Sequence, residues 1–146
     1  MISLDLAKQL RKAGLVWQPS ERDVFVIPDR QMDTLFFVVT QLPALIQLYN
    51  GQMVVTFHGN TEWALDYVTI TDVIWLPTET QLREILARLI GVHAPLRLDR
   101  ASDGYRCQIG IADQMLEFTA PDGETAYALA LLHVLSNREI LNDEHI

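Results

Sequence analysis

A chain of 146 residues, 49% hydrophobic and 21% charged, has ordinary globular composition, far from the polar, highly charged regime of disordered chains. It is long enough to bury a core without help from a disulfide or a metal. Eleven basic against nineteen acidic residues leave a net charge of −8, and from Gln31 to Leu82 there is no Lys or Arg while Asp33, Glu62, Asp66, Asp72 and Glu79 remain. Such a chain repels a phosphate backbone, which argues against nucleic acid and anionic membrane surfaces as partners.

Cys107 is the single cysteine and has no neighbour at metal-ligand spacing, so neither an internal disulfide nor a cysteine-based metal site is expected. The opening MISLDLAKQLRKAGL lacks the continuous apolar core and cleavage site of a signal peptide, and no run approaches the ~18 apolar residues of a membrane span. These features predict a soluble protein of a reducing cytoplasm.

In chain order, Ser3 caps a helix that presents Leu6, Leu10 and Ala13 on one face and Lys8, Arg11 and Lys12 on the other, with Gly14 as its stop. Val24 to Ile27 reads as a strand ended by Pro28. Leu35 to Thr40 reads as a second, and its run LFFVV, apolar on both faces, predicts a central strand covered on both sides. Asn50-Gly51 between LIQLY and QMVVTF predicts a two-residue hairpin, because both central residues of a type I′ turn need positive φ. Its register follows: Tyr49 opposite Gln52, Leu48 opposite Met53, Ile46 opposite Val55. Ile46, Leu48, Met53, Val55 and Phe57 then form a core face, with Gln47, Tyr49, Gln52, Thr56 and His58 on a wetter one and Leu45 and Val54 as apolar exceptions.

Asn60 or Thr61 can start a short helical turn, after which Asp72 to Leu76 reads as a strand closed by Pro77. Thr78 and Gln81 then form a capping box for a helix with Leu82, Ile85, Leu86, Leu89 and Ile90 on one face, Glu79–Arg83 and Glu84–Arg88 spaced for ion pairs on the other, and Gly91 at its end. Strands follow at Leu96 to Asp99, Tyr105 to Ile111 and Met115 to Thr119, with Tyr105, Cys107, Ile109 and Ile111 on one face. Past Pro121-Asp122-Gly123 a helix from Glu124 to about Asn137 is apolar over most of its circumference and must be buried on most sides. The tail from Ile140 to Ile146 is expected to fray. No linker or repeat divides the sequence, so the expected fold class is a single α+β domain over residues 1–146. In it, about six to eight short strands form a largely antiparallel sheet with three helices packed against it.

The candidate sites are few. His58, Glu62 and Asp66 are spaced four apart and could hold a divalent metal or form an acid/base pair, the competing reading being that Glu62 or Asp66 only caps a turn. His133 lies on the narrow side of the last helix with Ala126, Leu129 and Ala130, where a core or interface histidine is the default. His93 stands in a loop without an evident partner. Cys107 alternates with core positions and reads as an inert small hydrophobe. Trp17, Trp63 and Trp75 could line a cavity or simply fill the core.

No phosphate-binding loop, dinucleotide fingerprint, nucleophile elbow or H-E-x-x-H motif occurs, so no cofactor is expected and no residue is singled out with certainty as catalytic or metal-binding. The leading reading is a non-catalytic, self-associating protein-interaction domain whose interface includes the last helix, through Tyr127, Leu131 and Leu135, or an exposed sheet edge. The alternative is a small enzyme or ligand-binding domain built on His58, Glu62 and Asp66.

Glu62-Trp63-Ala64-Leu65-Asp66, the Trp75-Leu76-Pro77 step into Gln81-Leu82-Arg83, and the late Ala126, Ala128, Leu129, Ala130 and Leu132 resemble a family of short, uncharacterised bacterial proteins, some of which carry a pilus-assembly label. The resemblance implies a bacterial source and transfers no functional residue. A pilus-assembly ATPase is not implied, since the chain has no phosphate-binding loop.

Overall fold

The computed structural model describes residues 1–28, 36–39, 44–49, 51–57 and 68–138. The chain divides into two compact units, residues 1–15 with 77–146, and residues 16–76. The class is α+β and all strand pairings are antiparallel. Among the described residues the strands form three separate three-stranded sheets in place of the single expected sheet. Among the described residues, four of the six strands in residues 16–76 are only two or three residues long, and prolines follow closely on two of them, so the ladders of these four are short.

In the first unit α1 (Leu4–Lys12) starts where Ser3 accepts the Leu6 N–H at 3.1 Å, and it buries Leu6, Ala7 and Leu10. The capping box is formed as the sequence predicts: Thr78 accepts from the Gln81 amide at 3.2 Å, and Gln81 accepts from the Thr78 amide at 2.9 Å, opening α2 (Glu79–Ile90). Gly14 and Gly91, with φ of 107° and 100°, end the two helices in backbone conformations that cost other residues strain. The two expected i,i+4 ion pairs of α2 are not among the salt bridges of the described residues. Both pairs are surface pairs, which gain little in water.

The sheet of this unit runs β7 (Leu96–Ala101), β8 (Gly104–Ile111), β9 (Gln114–Ala120). Ala112 and Asp113 both adopt positive φ, 54° and 60°, which makes the β8–β9 loop a tight two-residue turn without a glycine. Asp122 caps α3 (Gly123–Ser136) by accepting the Thr125 N–H at 2.7 Å. Helix α3 packs on β8 and β9, while α1 and α2 pack on α3, so the helices stack in a layer on one another more than on the sheet. Flanked by helices and sheet, α3 needs apolar residues nearly all round, which explains the breadth of its hydrophobic surface. Leu10, Leu82, Leu86, Cys107, Ile109, Ala126, Ala130 and Leu131 are wholly excluded from solvent.

In the second unit β1 (Val24–Val26) lies between β2 (Phe36–Val38) and β6 (Ile74–Leu76). The pairing Phe37, Phe25, Trp75 sets three aromatic residues side by side on one face. Phe25 stacks on Phe37 at 5.5 Å between ring centroids, and Trp17 lies 5.6 Å from Phe25 and 6.4 Å from Trp75. Phe25, Ile27, Val39, Val55 and Val73 form the buried centre, with Trp17 and Phe37 packed against it. The second sheet is β3 (Ala44–Tyr49), β4 (Gln52–Phe57) and β5 (Val68–Thr69), followed by a 3-10 turn at Ile70–Asp72.

The hairpin forms in the predicted register, Tyr49 opposite Gln52 and Ile46 opposite Val55, with Gly51 at φ 78°; Asn50 lies outside the described residues. Two expectations are corrected here. Among the described residues strand β2 pairs on one side only and is an edge strand, not a central one, with Phe36 56% and Val38 43% exposed. An apolar run on both faces cannot by itself distinguish a doubly covered strand from an edge that leaves apolar surface unburied. On β4 burial changes along the strand and not across it: Val54 and Val55 are both fully buried, whereas Met53, nearer the turn, is exposed together with its cross-strand partner Leu48.

Candidate functional site

His58, Glu62, Asp66 and Trp63 lie outside the described residues, as does the tail from Ile140. Among the described residues no group of three His, Cys, Asp or Glu is placed to hold a metal ion. His93 is exposed in the turn after α2. His133 is half-buried, its ring 5.5 Å from that of Phe118 and tilted by 53°, which fits a packing role on the sheet-facing side of α3.

Cys107 is fully buried in the centre of β8, and burial pushes its thiol from 9.0 up to about 11. A thiol that stays protonated in an apolar setting is a poor nucleophile and a poor metal ligand, as its place among core positions implies. Tyr127, Leu131 and Leu135, the expected interface residues on α3, are 6%, 0% and 4% exposed within the chain itself. Burial raises the Tyr127 phenol pKa, which keeps it uncharged.

Trp17 and Trp75 belong to the aromatic packing of their unit. The Trp75 indole N–H is buried and without a hydrogen-bond partner among the described residues. Trp17, in contrast, donates its indole N–H to Asp23 Oδ2 at 2.9 Å, and the same oxygen accepts the Ser20 amide at 2.9 Å. Asp23 is 3% exposed. Its backbone is held as well: its N–H reaches the Ser20 carbonyl, its carbonyl accepts the Val39 amide, and Arg22, at φ 74°, donates to the Val39 carbonyl. This knot fastens the Trp17 loop to the end of β2. Sequence reasoning missed it, although an Asp three residues after a Ser in a polar loop is a recognisable side-chain turn.

Two surfaces remain. The outer face of β7–β9 carries Arg97 paired to Asp99 at 2.8 Å, Arg106 within 3.5 Å of Asp103 and 3.9 Å of Glu117, and Gln108 donating to Glu117 at 3.0 Å. Opposite charges satisfy one another there, which describes a solvated face more than a binding site. The other surface is apolar. Phe36 and Val38 are exposed on one face of β2, and Leu48 and Met53, 68% and 44% exposed, sit side by side at the hairpin tip.

No family model matches the chain, and neither a curated protein nor a solved structure is detectably similar to it. No helix among the described residues is long and apolar enough to cross a membrane.

Proposed function

We propose that the protein is a small non-catalytic interaction domain that associates with itself, in the reducing cytoplasm that its single buried cysteine suits. The observation that carries the reading is the charge-free stretch from Thr34 to Thr61, which holds no Asp, Glu, Lys or Arg and yet exposes Phe36, Val38, Leu48 and Met53. Scattered exposed hydrophobes are normal on any surface. Two adjacent pairs on strands with no charged residue are the kind of surface that proteins otherwise protect with lysine or proline.

The charge balance supports a like partner. Two copies that each carry a net charge of −8 repel wherever their acidic surfaces meet, and least where both present uncharged strands. The buried state of Tyr127, Leu131 and Leu135 favours the sheet edge over the last helix as the contact.

The test is sedimentation velocity across a micromolar concentration series, on the wild type and on Phe36→Lys combined with Met53→Lys. The expected outcome is a concentration-dependent dimer whose dissociation constant rises at least about tenfold in the double variant, the equivalent of ~1.4 kcal/mol. A wild type that sediments as a monomer throughout would end the reading.

A further inference from the structure

Among its described residues the second unit has four strand edges, and they are not equivalent. β2 and β6 offer three residues each and β5 two, too few to support much pairing, whereas β3 offers six, Ala44–Tyr49. Among the described residues nothing pairs with β3 on the side away from β4. Its sequence ALIQLY contains no charge and no proline, and its ladder to β4 runs unbroken from Ala44 opposite Phe57 to Tyr49 opposite Gln52, so no bulge twists the edge away.

The register also identifies which backbone groups are free. A two-residue loop closes on a hydrogen-bonded pair, here Tyr49 with Gln52, and such pairs alternate along an antiparallel ladder. Gln47 and Leu45 therefore bond to β4, while the N–H and C=O groups of Ala44, Ile46 and Leu48 point outward. We propose that β3 pairs antiparallel with β3 of a second copy about a two-fold axis at Ile46, joining two three-stranded sheets into one of six strands. Ile46 then lies opposite its own counterpart, and Leu48 opposite Ala44 of the other copy. All three outward residues of each strand are satisfied in this register, which preserves the faces of both sheets as the period-2 alternation requires. The exposed side chains of Leu48 and Met53, cross-strand neighbours on one face, are carried into a strip that continues across the joint. A two-fold edge contact is self-complementary and closed, so it stops at the dimer. The absence of charge along β3 is what lets two acidic chains meet there.

This inference rests on the self-association proposed above, and the two are separable by experiment. Amide hydrogen exchange measured by NMR at low and high protein concentration reads the edge directly. The expected result is that the Ile46 and Leu48 amides become protected by at least an order of magnitude as the dimer fills. Leu48→Pro, which removes an outward N–H at an exposed position and no bond to β4, should abolish the dimer, while Leu48→Thr, which keeps the N–H, should retain most of it. Far-ultraviolet circular dichroism checks that both variants fold. A dimer seen by sedimentation with unprotected Ile46 and Leu48 amides overturns the strand pairing and leaves self-association standing. Equal loss of the dimer in the Pro and Thr variants also overturns it, assigning the contact to the leucine side chain. A monomer at every concentration overturns both.

Discussion

The β7–β9 sheet and the β3–β4 hairpin are built alike, from antiparallel strands joined by two-residue loops, yet they treat their outer surfaces in opposite ways. In the first, Cys107 and Ile109 are sealed beneath α3, and Arg97, Asp99, Arg106 and Glu117 pair on the outside, so that both edge strands carry charge. In the second, Val54 and Val55 are both buried although adjacent in sequence, and the tip exposes Leu48 and Met53 with no charge nearby in the chain. The first sheet leaves one large apolar side chain, Met115, exposed beside those charges. The other exposes Leu48 and Met53 with no charge among them, and among the described residues β3 has no partner on its outer edge, so that remainder is where an interaction is best sought.

Substitutions can break or sharpen this contrast. The largest effect is expected at Leu131, fully buried in α3: Leu131→Ala should cost about 2–5 kcal/mol in urea unfolding through the cavity it leaves. Any dimer should persist in the fraction that stays folded, because Leu131 and β3 belong to different units. Asp23→Ala in the second unit should cost about 1–3 kcal/mol, since the Trp17 indole and the Ser20 amide lose their acceptor. Released Trp17 should shift tryptophan emission to longer wavelength, a readout Leu131→Ala does not share.

Asp122→Ala should cost about 1 kcal/mol as a lost helix cap. The Thr125 amide holds the Asp122 carboxylate below its usual pKa. Its contribution is therefore present above the ordinary carboxylate range and disappears as pH falls through the lowered value, so wild type and variant should converge in acid. The effect at Cys107 is confined to alkaline pH. Its thiol titrates at about 11 when folded and near 9.0 otherwise, so its contribution is complete below pH 9 and is lost as pH rises toward 11. Cys107→Ala should flatten that alkaline decline, and the native thiol should resist a thiol reagent that labels it after unfolding.

Much of this fold was legible because the signals were local. Ser3, Thr78 with Gln81, Gly14 and Gly91 act within one turn of the residues they cap, and Asn50-Gly51 fixes the hairpin register through a two-residue loop. What could not be read depends on distant partners. The LFFVV run gives no indication of whether another strand lies on each side: its apolar pattern reads as central, and among the described residues β2 is an edge. The Ala112-Asp113 turn adopts positive φ against alanine's preference because the β8–β9 ladder on either side enforces it. The apolar breadth of α3 is visible in the sequence, but which elements cover Tyr127, Leu131 and Leu135 is not, because α1 and α2 come from segments far from α3 along the chain. Of the His58, Glu62 and Asp66 set, only the spacing is available, since all three lie outside the described residues.

The central claim, that the uncharged hairpin unit joins two copies, is tested most directly by the concentration dependence of Ile46 and Leu48 amide exchange in the wild-type protein. Slowing of these two amides in step with dimer formation is the predicted result. Exchange that stays fast at every concentration, beside a sedimentation profile that stays monomeric, would contradict it.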